Sequence, residues 1–283
     1  MAGGWGPGGA DCAIAVTFDH LGEAAEIQLG SIPADAPVGR HHSVTRELPA
    51  LLAVLDEHSY SATFFVEAWN FRHYPDAVRA IAEAGHEVGW HGWLHEPWHR
   101  SSAAEIAESL RLSLDAFGEL GIRPRGARPP AGLLGPHSVD VLAEHGFDYV
   151  SLAGTAFGTT LGRTARLPLL PYPWHAVDGA YYVPGFTRLR QPPGEEPVGP
   201  DGLLAGYAAI VDDTAAAGGC AGLIFHVPWQ DSPDRIAAIG TLIDRLAADE
   251  RVWLARADEI ADWVRDHPAD FPETVHTDRA PAW

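Results

Sequence analysis

The chain is governed by one recurring pattern: short, unbroken apolar runs rich in β-branched and aromatic residues, each followed by a segment of helical periodicity. The runs at 12–18 (CAIAVTF), 62–66 (ATFFV) and 219–225 (GCAGLIF) show no polar alternation. A strand buried on both faces reads this way, whereas a strand with one wet face alternates. Helices are predicted at 45–57, on the spacing of Leu48, Leu51, Leu52 and Leu55, and at 75–84, opened by Pro75 and followed by Gly85. Another is predicted at 102–120, where Ser102 and Glu105 form a capping-box pair and Leu110, Leu114 and Phe117 line one face. Further strands are expected at 86–90, 147–152 and 252–254, and helices at 139–145, 203–217, 236–248 and 257–265. The alternation recurs about seven times and predicts a parallel α/β sheet with crossover helices. One domain suffices for 283 residues, with its core at 12–265 and a polar tail at 266–283 expected on the surface. The Gly- and Pro-rich stretch 154–202 predicts extended loops with little helix.

The reactive side chains fall repeatedly just after strands. Asp19-His20-Leu21-Gly22-Glu23 follows the first, and His91 and His95 follow the third in GWHGWLH. Two imidazoles at i and i+4 share one side of a turn, which is metal-ligand spacing. Arg128 stands in ARPPAG, 127–132, and His226 ends the run 219–225. Each has an ordinary reading alone: Asp19 as a helix cap, the histidines as two of 15, Arg128 as a loop cation. Their common position is the stronger signal, because parallel α/β proteins build sites at the carboxyl ends of their strands. An imidazole placed as His226 is suits a general acid, and a guanidinium placed as Arg128 is can hold a carboxylate ionised.

Charge excludes some partners. With 38 acidic and 19 basic residues the formal charge is -19, which repels nucleic acid and an anionic membrane surface. The first residues carry neither a basic n-region nor an apolar run before the first strand, which predicts a cytoplasmic protein. Cys12 and Cys220 lack C-x-x-C spacing and are expected to be buried thiols. The aromatic stretch 167–186 is a candidate substrate wall or a contact in a homo-oligomer.

Taken together, TFD at 17–19, HGWLH at 91–95, RPPAG at 128–132, LIFH at 223–226 and VWLARADEIADWV at 252–264 resemble the polysaccharide deacetylase superfamily, the NodB-homology or carbohydrate esterase family 4 domain. LPYPWHAVDGAYY at 170–182 looks like its intracellular branch, which contains allantoinase-like and cyclic-imide hydrolases. The resemblance implies a distorted (β/α)7 barrel that hydrolyses a C–N bond with one divalent metal, usually Zn2+, held by an Asp and two histidines. His91 and His95 map onto the ligands, His226 onto the acid, and Arg128 onto the tether of the catalytic carboxylate.

Three departures stand beside this. Where the family has two aspartates, this chain has Asp19-His20. Either Asp19 is a ligand with Glu23 as base, or Asp19 is the base and His20 completes a three-histidine site, which zinc also accepts. The first is preferred, since a carboxylate and two histidines are the family's ligand set. Ala131 stands where many relatives have Tyr, although an oxyanion donor there would be a backbone N–H. Asp148-Tyr-Val-Ser-Leu152 lacks the family's downstream Asp-Trp. The expected activity is metal-dependent hydrolysis of a small amide, imide or N-acyl substrate. Peptidoglycan or oligosaccharide N-deacetylation is the second reading, and a non-catalytic binding barrel, suggested by the altered first motif, is the third.

Overall fold

The computed structural model describes residues 4–33, 35–135 and 138–275. Strand β1 (Cys12–Asp19) leads to α1 (Ala24–Gln28) and, through a π-helical turn at Ser43–Glu47, into α2 (Leu48–Glu57). There follow β2 (Thr63–Val66), α3 (Asn70–His73), α4 (Pro75–Glu83), β3 (Glu87–Trp90), α5 (Ala103–Glu119), β4 (Gly126–Ala127), α6 (Ser138–Glu144) and β5 (Tyr149–Ala153). A hairpin of β6 (Gly158–Leu161) and β7 (Arg166–Tyr172) precedes α7 (Gly179–Tyr182), α8 (Gly199–Ala217), β8 (Cys220–His226), α9 (Pro233–Ala248), β9 (Val252–Leu254), α10 (Ala257–Asp266) and β10 (Glu273–Thr274). The capping box read at Ser102 and Glu105 opens α5. Helices α8 and α9 begin ahead of the expected 203 and 236, each with a proline in its first turn.

Seven strands run parallel in the order β8-β1-β2-β3-β4-β5-β7. Every residue of β1 is buried, as a strand flanked on both edges and covered on both faces must be. The sheet curls until its ends, β7 and β8, lie beside each other, giving the distorted (β/α)7 barrel. Among the described residues this seam has no ladder: it is joined by one bridge, Val177–Ile224, and by a Cys220 Sγ contact to the Leu169 carbonyl at 3.8 Å. Strand β9 pairs with β1, and β6, antiparallel to β7, carries β10 on its outer edge.

Two expectations are modified. The stretch 154–202 holds the β6–β7 hairpin and so supplies one barrel strand. The tail is part of the fold as far as it is described: Phe271 is buried against Trp5, ring centroids 4.6 Å apart, and residues 276–283 lie outside the described residues. Both cysteines are buried and free, and no described helix is long and apolar enough to cross a membrane.

At the amino-terminal mouth of the barrel Glu87 opens β3. Its Oε2 accepts from Thr63 Oγ1 (2.8 Å), Tyr149 OH (2.9 Å) and Asp258 N–H (3.2 Å), while Oε1 is enclosed without a partner among the described residues. Burial, followed by the charge of Asp258, pushes its carboxyl up to about 8.

Candidate active site

The opposite, carboxyl-terminal mouth gathers the reactive groups. Register sets Asp19, the last residue of β1, beside Phe65 of β2 and His226 at the end of β8. Glu67, His91 and Arg128 each come immediately after β2, β3 and β4. Parallel strands in register thus bring to one rim residues that are up to 207 positions apart (226 − 19 = 207).

Two histidines are turned inward by the backbone. His20 and His95 have φ of +64° and +86°, a region that side chains with a Cβ occupy at a cost of about 1–3 kcal/mol and that clusters at functional sites. Gly22, also at positive φ, lets the chain pass Asn70, since a Cβ there would run into the Asn70 amide and the Tyr74 ring. The turn at His20 carries its ring to 5.2, 4.6 and 4.8 Å from those of His91, His95 and His226.

His20, Glu67, His91 and His95 each offer a donor atom within 4.8 Å of the others'. The chemistry of this set fits a divalent cation of the zinc type. His91 Nδ1 lies 2.6 Å from the Arg128 carbonyl, which fixes its proton there and leaves Nε2 as a lone-pair donor. His91 and His95 are held well below the ordinary imidazole range, mainly by burial and then by neighbouring histidines, so both are neutral, as ligands must be. His20 differs. Burial pushes it down, but the charge and hydrogen bond of Glu67 on Nδ1, with Asp19 and Asp178, carry the net shift upward. Glu67 is fully buried, and its other oxygen accepts from Leu21 N–H (3.4 Å) and Asn70 Nδ2 (3.3 Å).

Asp19 lies beside this group. Arg128, wholly buried, donates from Nη1 to Asp19 Oδ1 (2.6 Å) and Thr17 Oγ1 (2.9 Å), and from Nε and Nη2 to Ser151 Oγ (3.1 and 3.0 Å). The guanidinium sits 4.1 Å from the centroid of the Phe65 ring. Asp19 Oδ2 is left facing His91 Nε2 at 3.9 Å.

His226 has its own carboxylate. Asp178, fully buried, accepts from His226 Nδ1 (2.7 Å) on Oδ1, and from His226 N–H (2.8 Å) and Gln230 Nε2 (2.7 Å) on Oδ2. The ring is thereby fixed with Nε2 free, next to Trp229 at 4.1 Å between centroids.

The structure brings together Asp19, His91, His95, Arg128 and His226, but not Glu23. Both Glu23 oxygens accept from Tyr74 OH (2.7 and 2.6 Å), and Gly39 N–H donates to Oε1 (3.1 Å). Of the allocation preferred from sequence, Asp19 on the metal with Glu23 as base, Glu23 lies apart from the donor group and Asp19 lies beside it. Arg128 claims Asp19, Tyr74 claims Glu23, and the left-handed turn at residue 20 swings an imidazole into the donor group. Two residues escaped the sequence reading. Glu67 carried the same strand-end signal as the others; Asp178 lies within a Pro-rich stretch and reaches the site only through the seam bridge next to it. Asp148 pairs instead with Arg123 and Arg125, and the buried carboxylate behind His226 is Asp178.

Beside the donor group opens a cavity of about 390 Å3 that includes His95, Pro130, Ala131 and Trp174 in its wall. Ala131, at φ +60°, follows Arg128 on the rim. A larger cavity of about 750 Å3 lies between α2 and α9 and contains no member of the donor group, so its size does not bear on the chemistry.

Comparison with known proteins gives concordant matches. The family model described as polysaccharide deacetylase matches residues 11–150. The structure of a candidate polysaccharide deacetylase from Mycobacterium smegmatis is similar over 100% of this chain and 99% of its own, with 28% identity and a TM-score of 0.81. The structure of Puue allantoinase shares the fold over 95% of each chain, at 20% identity and a TM-score of 0.74. Among curated proteins, the peptidoglycan-N-acetylglucosamine deacetylase PgdA of Listeria monocytogenes is 35% identical over 95 residues, 33% of this chain and 20% of PgdA. The matched stretch spans about a fifth to a third of the length of such curated relatives.

Proposed function

The chain belongs to the polysaccharide deacetylase superfamily, and from that premise we propose that it hydrolyses a non-peptide C–N bond in a small amide, imide or N-acyl compound. His20, His91 and His95 would hold one divalent cation, most simply zinc, with Glu67 orienting His20 through Nδ1. Such a cation supplies Lewis acidity, polarising a carbonyl and making water easier to deprotonate.

The remaining roles fall to the chain's own side chains. Asp19 is the base: Arg128 holds Oδ1, and Oδ2 is left to accept a proton from water. His226 is the acid. Asp178 fixes its tautomer and stabilises the imidazolium, and Nε2 can deliver a proton to the departing nitrogen. The N–H of Ala131, aimed by its left-handed backbone, is the candidate donor to the developing oxyanion. The observation that carries this reading is one rim holding a three-histidine group, an arginine-tethered carboxylate and an aspartate-paired histidine.

A cavity of about 390 Å3 favours a small substrate, within the range of small-molecule sites. A second reading, N-deacetylation of peptidoglycan or an oligosaccharide, draws on the stretch similar to PgdA. The test is metal per chain by elemental analysis, with turnover on cyclic imides, N-acyl amines and N-acetylglucosamine oligomers. Near one equivalent retained by Asp19→Asn and lost by His20→Ala and His95→Ala is the expected result. A metal-loaded protein that cleaves none of these substrates sinks the hydrolase reading; cleavage of the oligomers alone selects the second.

A further inference from the structure

The cavity beside His95 has an electrostatic character opposite to that of the chain. Acidic residues outnumber basic ones two to one, and all 19 basic residues are arginines. Most of the described arginines sit against a carboxylate. Yet no carboxylate lines this cavity, and the guanidinium of Arg100, which does, has no hydrogen-bond or ion-pair partner among the described residues. Pro130, Leu133 and Trp174 give the same cavity an apolar and partly aromatic lining.

Arg100 is held from below. It ends the single 3-10 turn Trp98–Arg100, whose Trp98 is fully buried and packs edge-on against Trp90 at 4.7 Å between centroids. Arg100 N–H donates to the Pro97 carbonyl at 2.8 Å. The loop opposite fits tightly, since a Cβ on Gly135 would come within 3.0 Å of the Trp98 carbonyl. The root of the side chain is therefore fixed while its guanidinium is exposed. The neighbouring His99 has its Nδ1 enclosed and unpartnered, and burial followed by the charge of Arg100 holds it below the ordinary imidazole range. Arg100 is thus the cavity's one permanent positive charge.

We propose that Arg100 is a specificity-determining residue that receives a carboxylate of the substrate, so that the preferred substrates are small carboxylate-bearing amides, imides or N-acyl compounds. This rests on the hydrolase reading and names its substrate class. The apolar body of the substrate lies against Trp174 and Leu133, its scissile carbonyl is directed toward His95, and its carboxylate meets the fork of Arg100. A planar guanidinium suits a planar carboxylate, which it binds through two parallel hydrogen bonds. A free carboxylate on a chain of charge -19 is otherwise repelled, so one unpaired arginine in a carboxylate-free pocket discriminates strongly between an acid and its neutral isostere.

The test is binding, which needs no turnover: benzoate and benzamide titrated by calorimetry into the purified full chain as wild type, Arg100→Ala, Arg100→Lys and, as a control on α9, Arg245→Ala. Benzoate should bind about 10- to 100-fold more tightly than benzamide, the range of a charge-assisted hydrogen bond. The preference should vanish in Arg100→Ala, persist in part in Arg100→Lys, and be unchanged in Arg245→Ala. Equal affinity for the two ligands, or a preference that survives Arg100→Ala, overturns the proposal; in the second case benzoate is held by the histidine group. Loss of the preference in Arg100→Ala, in a protein that cleaves no amide, would keep the assignment of Arg100 and reject the hydrolase reading. Turnover with no carboxylate preference would do the reverse.

Discussion

Arg128 is the group whose removal should cost the most, and the structure says why. Its guanidinium is wholly buried, makes four hydrogen bonds, lies on the face of Phe65 and neutralises Asp19, itself only 4% exposed. Arg128→Met keeps much of the side-chain volume but strands the Asp19 carboxylate. Breaking a buried pair from one side costs about 3–5 kcal/mol, and a desolvated cation–π contact adds about 1–2 kcal/mol. The expected loss is about 4–7 kcal/mol, near 8–28 °C in Tm for a chain of this size. The diagnostic comparison is the double variant. Asp19→Asn removes the charge that Arg128→Met strands, so Asp19→Asn/Arg128→Met should cost less than the sum of the two single variants by about 1–3 kcal/mol, a coupling typical of contacting residues. Urea unfolding followed by tryptophan fluorescence supplies all four corners of the cycle. If Arg128→Met costs under about 1 kcal/mol, or the single costs add within about 0.5 kcal/mol, the pair is not the buried anchor described here.

Three further outcomes follow from other groups. Asp178→Asn must turn an amide N–H2 toward either the His226 ring or the donors on Gln230 and His226; turnover should fall about 10- to 100-fold with metal content unchanged, and parallel loss of metal would move His226 into the ligand set. Glu87 binds a proton in the folded state up to about pH 8 and in the unfolded chain only to about 4.5. Stability should therefore fall as pH rises through that window, by up to about 1.4 kcal/mol per unit, and Glu87→Gln should flatten the slope of Tm between about pH 5 and 8. Glu23→Gln should retain metal and most activity while losing about 1–2 kcal/mol of stability through its bonds to Tyr74 and Gly39; an inactive, folded variant would restore Glu23 as the base.

Strand-end placement was readable because buried parallel strands announce themselves as continuous apolar runs, and the residue after such a run lies on the rim whatever its neighbours do. That logic located Asp19, His91, His95, Arg128 and His226, and applied to 62–66 it would have located Glu67. It could not divide roles between Asp19 and its neighbours. Which of His20 and Glu23 faces the rim depends on a left-handed residue and on Tyr74, 51 positions away from Glu23, and neither leaves a local trace. Asp178 was illegible for another reason: its partner His226 is 48 positions off, and they meet only where the sheet closes on itself.

That closure has a bearing on how the protein fails. Among the described residues the β7–β8 seam has no ladder, and its one bridge, Val177–Ile224, lies just past the end of β7, with Asp178 the next residue along. Its own amide holds the Ile224 carbonyl at 3.0 Å. The least-stitched line of the barrel therefore runs through the Asp178–His226 pair. Opening of the seam is a sub-global event that leaves the other parallel pairs intact, and it separates His226 from its carboxylate. On warming, the Asp178 amide should lose its hydrogen-exchange protection ahead of those of β1, and inactivation should begin at temperatures where the circular dichroism of the barrel is still native.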